Sequence, residues 1–172
     1  MIDTQPAAPS TASLRALQGP VMAVLMRHLI NPVMRWGLAG PLHPHFGSET
    51  LMILSFVGRR SGKRYRFPIG YMRQGSTLFS YSPFSWWRSL SNGAPVTVTV
   101  RGRALTGRAE AITDTAIVEP GMLVYLRHNP GDAKYFDVKI GPDGDPDPAD
   151  VARAARRNVQ VRIQLDDAER AA

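Results

Sequence analysis

The chain of 172 residues has no cysteine. That excludes disulfides, thiolate catalysis and zinc or iron–sulfur centres built on cysteine, and it fits a reducing cytoplasm. It also lacks a basic n-region followed by an apolar h-region, the pattern of a secretory signal. No apolar run approaches the roughly 20 residues of a spanning helix; stretches such as 21–26 are among the longest. The most informative absence is of negative charge. No Asp or Glu occurs between Glu49 and Glu110, while ten cations do: Arg59, Arg60, Lys63, Arg64, Arg66, Arg73, Arg88, Arg101, Arg103 and Arg108. This excludes a carboxylate pair from the middle of the chain. It also predicts a positive field there, which concentrates anions and speeds their capture. Anionic small molecules, nucleic acid and an anionic membrane face are the partners such a field suits.

What is present is organised around residues 51–72, LMILSFVGRRSGKRYRFPIGYM. Two apolar runs rich in β-branched and aromatic residues read as strands, joined by the basic connection Gly58-Arg59-Arg60-Ser61-Gly62-Lys63. Gly58 and Gly62 permit backbone angles and close approaches that other residues resist. Free main-chain amides and clustered cations in such a loop suit an anion. It is not a nucleotide-hydrolysing P-loop: three residues separate its glycines, Arg64 follows Lys63, and a strand rather than a helix comes next. A phosphate-bearing cofactor is the ligand expected there; a merely solvated basic tip is the plain alternative.

Residues 1–12, rich in Pro, Ala, Ser and Thr, read as a disordered arm. Residues 13–38 read as a helical segment. Leu14, Leu17, Val21, Met22, Leu25, Leu29 and Val33 recur at helical spacing, and Pro20 and Pro32 break or kink the run. Its role is packing, or else contact with a membrane surface or a pocket mouth. His43 and His45 in the loop that follows have no third ligand nearby, so no metal site is expected.

Further along, 77–82 reads as a strand and 83–90 as a short helix or turn carrying Trp86, Trp87 and Arg88. Neighbouring helical residues diverge by about 100°, so one tryptophan anchors the fold and the other is free to face a planar ligand. Val96, Val98 and Val100 alternate with threonines, and Arg101-Gly102 turns the chain into a second strand over 104–112. Residues 115–128 read as a helix capped by Asp114 or Thr113, 134–140 as an extended segment with Tyr135 and Phe136, 149–157 as a helix capped by Asp147 or Asp150, and 159–165 as the last strand. Six strands joined partly as hairpins, with interspersed helices, predict an α+β, mainly β, fold. Its expected form is one domain over 13–172, a small antiparallel barrel with peripheral helices. Phe67, Tyr71, Phe79 and Tyr81 interleave with cations, which keeps RNA binding as a distant third reading.

Taken in order, several stretches resemble the deazaflavin-dependent nitroreductase family of the split β-barrel flavin-binding superfamily. They are Asn31-Pro32, Thr50 through Leu54 into Gly58-Arg59-Arg60-Ser61-Gly62-Lys63, Pro68-Ile69-Gly70-Tyr71, Trp86-Trp87-Arg88-Ser89-Leu90 and Pro95-Val96-Thr97-Val98. The resemblance implies a redox protein holding coenzyme F-420, with FMN, FAD or haem as alternatives. In it, Arg59, Arg60, Ser61, Gly62, Lys63 and Arg66 bind the anionic tail. Trp86, Trp87 and Arg88 wall the ring, and Gly70 and Tyr71 floor it. It further implies hydride transfer to a small electrophilic acceptor such as a quinone, enone or nitroaromatic, with Tyr135 as a proton source, and a homodimer. A binding module on the same fold is the alternative. The chain departs from the family pattern at Trp87-Arg88-Ser89, where Tyr-His-Asn is usual.

Overall fold

A computed structural model describes residues 50–166. The expected arm over 1–12, the expected helical segment over 13–38, and His43 and His45 lie outside the described residues. The described chain forms seven strands: β1 (Leu51–Val57), β2 (Arg64–Gly70), β3 (Met72–Gln74), β4 (Thr77–Ser82), β5 (Ala94–Val100), β6 (Arg103–Ile112) and β7 (Val159–Leu165). All pair antiparallel in one sheet of order β2-β1-β5-β6-β7-β4-β3.

The two edges of that sheet, β2 and β3, are halves of a single run interrupted only at Tyr71. One half pairs with β1 and the other with β4, so the sheet must curl back on itself. The peptide groups at the interruption are satisfied locally, as buried backbone requires. Tyr71 N–H donates to the Thr50 carbonyl (2.8 Å), Asn129 Nδ2 donates to the Tyr71 carbonyl (2.9 Å), and Ser80 Oγ donates to the Gly70 carbonyl (2.7 Å). The result is the expected small, mainly β antiparallel barrel, with one strand more than the six expected because this break divides the second.

The barrel interior follows from period-two alternation. Met52, Leu54 and Phe56 of β1, Val96, Val98 and Val100 of β5, and Val161, Ile163 and Leu165 of β7 meet in one buried cluster. Each fully buried aliphatic side chain contributes roughly 1.5–3 kcal/mol. The β5–β6 hairpin turns on Arg101 and Gly102, both at positive φ (49° and 79°), as a two-residue primed turn requires.

Helices α1 (Thr115–His128), α2 (Ala133–Phe136) and α3 (Pro148–Ala155) contribute to a second cluster built around Met72, Tyr81, Val118, Met122, Tyr125, Leu126 and Val151. Asp114 caps α1 by accepting from Ala116 N–H, and Asp147 caps α3 by accepting from Asp150 N–H. The extended segment expected over 134–140 is corrected: Ala133–Phe136 is a helical turn, ended by Asp137 in the left-handed region (φ 58°). The apolar pair Tyr135-Phe136 suggested a strand. Phe136 instead packs edge-on against Tyr125 of α1 (6.2 Å), which holds the segment on the helical layer.

Candidate functional site

The connection between β1 and β2 is a tight, self-bonded loop. Gly58 N–H donates to the Lys63 carbonyl and Gly62 N–H to the Gly58 carbonyl, both at 2.8 Å. Gly62 has φ +63°, the left-handed conformation for which glycine is suited. A Cβ on Gly58 would fall 2.5 Å from the Tyr65 ring, so this glycine lets the loop lie against the strand. Lys63 N–H donates to Ser61 Oγ (3.3 Å) and Arg59 N–H to Ser89 Oγ (3.4 Å). The expectation of free loop amides is thus corrected. Four of them are engaged within the protein, and the loop offers an anion its side chains above all. Arg59, Arg60, Lys63, Arg64 and Arg66 are exposed, and among the described residues no carboxylate pairs with any of them.

The loop leads into a groove of about 400 Å³ on the outer face of the barrel, lined among others by Ser55, Arg64, Thr97, Thr106, Arg108 and Asp166. Strand register explains its chemistry. Arg66 pairs with Ser55, Ser55 with Thr97, and Thr97 with Thr106, which sets an arginine and three hydroxyls in one row across four strands. Arg64 stands opposite Val57, and Arg108 opposite Pro95, on the same face. The acid-free middle of the sequence does meet one acid here. β7 delivers Asp166, whose carboxylate accepts from Thr106 Oγ1 at 2.5 Å. Nothing in the linear pattern signals that meeting, because it depends on β7 pairing with β6.

The 3₁₀ helix Ser85–Leu90 closes the barrel end beside the loop. Trp86 anchors it, packing on Phe56 (5.8 Å) and edge-on to Phe67 (5.1 Å). Trp87 is half-buried, and the Arg88 guanidinium covers its ring at 4.8 Å. Both tryptophans pack against the barrel core, and the second ring also carries a cation on its face. Such stacking is worth about 0.5–1 kcal/mol at an exposed site.

Other expected site residues lie elsewhere. β2 spans seven residues, about 20 Å, with the basic loop at one end and Gly70 at the other. Gly70 packs against Tyr125 and Asp132; a Cβ there would meet Asp132 Oδ2 at 2.6 Å. Tyr71 is buried in the barrel core. Both residues therefore serve closure of the barrel. Tyr135 on α2, just beyond Asp132, is 74% exposed, with the Lys134 ammonium 5.0 Å over its ring, and is not brought to the loop or to the tryptophans. The RNA reading loses its platform as well. Tyr71 and Tyr81 are buried, and Phe67 and Phe79 pack against the two cores, so none of these rings is laid out for stacking bases.

No family model and no curated protein matches this chain. Solved structures with a related backbone course include an FAD and haem binding protein from Mycobacterium smegmatis. It is 22% identical, covering 69% of this chain and 62% of that one, with a TM-score of 0.45. An FAD-binding protein from Mesorhizobium loti is 14% identical over 69% of this chain and 82% of that one, TM-score 0.42. An F-420 reductase is 16% identical over 68% and 86%, TM-score 0.42. Among the described residues no helix is long and apolar enough to cross a membrane.

Proposed function

We propose that this protein is a flavin-type redox protein that holds coenzyme F-420 in the outer groove and passes its hydride to a small electrophilic acceptor such as a quinone, enone or nitroaromatic. The observation that carries the reading is the set of five exposed loop and strand cations without a carboxylate partner among the described residues, at the mouth of a groove lined in part by hydroxyls. Self-repelling cations held together on a rigid hairpin suit a phosphodiester or carboxylate tail, where charge-assisted hydrogen bonds are strong. FMN, FAD and haem also carry anionic groups and are the alternative ligands.

The residues present fit such a group. Arg59, Arg60 and Lys63 hold the tail, Ser61 lends a hydroxyl, and Gly62 keeps the loop in shape. Arg64 and Arg66 continue the positive track along β2, while Ser55, Thr97 and Thr106 donate or accept in the row beside it. Trp86, Trp87 and Arg88, outside the groove lining, shape the adjoining barrel end to which the loop is tied through Ser89. The deazaflavin supplies hydride chemistry when bound. The chain's own part is binding, orientation and partial exclusion of water. The proton that completes reduction of the acceptor comes from water or from the exposed Tyr135. Phe84, 69% exposed, is apolar ground for a second copy of the chain, as expected of a homodimer.

Titration of the purified protein with F-420, FMN, FAD and haem, followed by fluorescence and visible absorption, tests the reading. F-420 is expected to bind in a salt-dependent way, and Arg59→Glu with Lys63→Glu to weaken it at least about tenfold. Failure of all four ligands to bind, or an affinity indifferent to both substitutions, overturns it. Binding without turnover of menadione or a nitroaromatic assigns the protein instead as a binding module. Sedimentation velocity reads the homodimer directly.

A further inference from the structure

On the opposite side of the barrel a smaller pocket of about 270 Å³ lies between α1 and the outer face of β3, β4 and β7. Met72, Phe79, Pro120 and Val124 supply apolar surface, and Tyr81 and Gln160 supply its buried polar atoms. Gln160 is 3% exposed and Tyr81 4%. The Gln160 Nε2 donates to the Tyr81 hydroxyl oxygen at 2.6 Å, and among the described residues Gln160 Oε1 has no partner. Because Tyr81 accepts that bond, its own hydroxyl proton is free to be donated onward.

A buried amide oxygen without a partner is unfavourable, and the surrounding structure nonetheless maintains the arrangement. Pro120 and Gly121 stand together inside α1, where proline removes a helix hydrogen bond and glycine weakens the helix. A Cβ on Gly121 would lie 2.5 Å from Gln160 Nε2 and 2.6 Å from the Tyr81 hydroxyl. The helix therefore approaches the polar pair closely only because this residue is glycine. Burial pushes the Tyr81 hydroxyl up to about 12, against the opposing pull of the Gln160 hydrogen bond and Arg162, which keeps it a neutral donor at ordinary pH. The Arg162 guanidinium, 5.8 Å above the Phe79 ring, steadies that aromatic wall.

We propose that this pocket is a second binding site, for an uncharged single-ring ligand bearing a carboxamide or cyclic amide. Its volume lies below the range of roughly 300–1,000 Å³ usual for larger ligands, which limits it to about one ring. Gln160 Oε1 is closed off in the structure as it stands, so the donor of an amide reaches it as α1 yields at Pro120 and Gly121, where the helix is weakest, while the Tyr81 hydroxyl donates to the amide oxygen. Reversing the Gln160 amide exchanges its free oxygen for a free N–H, and a carboxamide satisfies that arrangement too, whereas a ketone satisfies only one. A carboxylate is disfavoured because its charge would be taken into a largely apolar pocket. The inference does not rest on the outer groove.

The test uses benzamide, acetophenone and toluene as probes of the full-length protein, followed by two-dimensional NMR of backbone and glutamine side-chain amides. Benzamide is expected to move the Gln160 side-chain resonances and the amides of Gly121 and Val124, and to bind more tightly than acetophenone, with toluene weakest. Tyr81→Phe is expected to weaken benzamide about tenfold. Val124→Trp, at a partly exposed rim position, blocks the pocket mouth without disturbing the core and is expected to abolish the shifts. Absence of binding to the wild-type protein, shifts confined to the basic groove, toluene binding as tightly as benzamide, or undiminished binding by Val124→Trp each overturns the proposal.

Discussion

The two outer faces of the barrel are made by the same alternation and end differently. On β3, β4 and β7 the outward side chains include Met72, Phe79 and Tyr81, and the helical layer of α1 and α3 packs there. On β2, β1, β5 and β6 they include Arg64, Arg66, Thr97, Thr106 and Arg108, which remain exposed. Inward residues are largely apolar on both sides, with the buried Ser80 and Ser82 of β4 as exceptions, so the interior does little to distinguish them. Apolar outward residues gain by being covered, whereas arginines and threonines retain hydration unless a ligand compensates them. One face therefore became a second core and the other an open, positively charged surface.

That contrast breaks first where the frame shared by both faces is tightest. Gly107 of β6 lies where an added Cβ would strike the Gln164 carbonyl of β7, a backbone atom that cannot swing aside. Gly107→Ala is expected to destabilise the fold by about 3 kcal/mol, read as a lower midpoint in urea. Leu54→Ala, at a fully buried site of the interior, is expected to cost about 2–5 kcal/mol, with ligand binding by the groove retained under native conditions. A groove that fails while the fold persists would show that the two are more closely coupled than the packing indicates.

Alkali sharpens the difference from the covered side. Burial raises Tyr81 from 10.0 to about 12; burial, together with the hydrogen bond to Asp132, raises Tyr125 further in the same direction. A folded-state value above the unfolded one means that the native state holds the proton more tightly. The stabilisation is fully present below pH 10 and is lost as pH rises through the folded value. For Tyr81 the shift corresponds to about 3 kcal/mol. Tyrosinate absorbance and circular dichroism followed together above pH 10 are expected to show these two rings ionising with unfolding. Ionisation of Tyr81 and Tyr125 before any loss of structure would contradict the burial.

The smallest expected effect on stability is on the open face. Arg59→Glu and Lys63→Glu are expected to shift unfolding by no more than about 0.5 kcal/mol, while weakening anion binding strongly. A large stability change would mean that the loop cations are structural, and the contrast between the faces would then lose its functional meaning.

Much of this architecture is legible in the chain. The valine–threonine alternation over 96–100, the Arg101-Gly102 turn, the Asp114 and Asp147 caps and the apolar face of 159–165 are local patterns, and they appear where periodicity and turn chemistry place them. The Tyr135-Phe136 segment was misread because two aromatics in a short run carry little information about period, and contact with Tyr125 settles their conformation. The basic loop could be read from spacing and charge, but the use of its amides could not.

Covalent order was sufficient to specify the strands, their inward residues and the clustering of positive charge, because each depends on neighbours a few positions apart. Pairing across the barrel alone brought Asp166 to Thr106, placed Ser55, Thr97 and Thr106 in one row, and stacked Gln160 on Tyr81 beneath Gly121. Those meetings join residues many positions apart, and their existence depends on strand register and helix docking, which are properties of the whole packed chain.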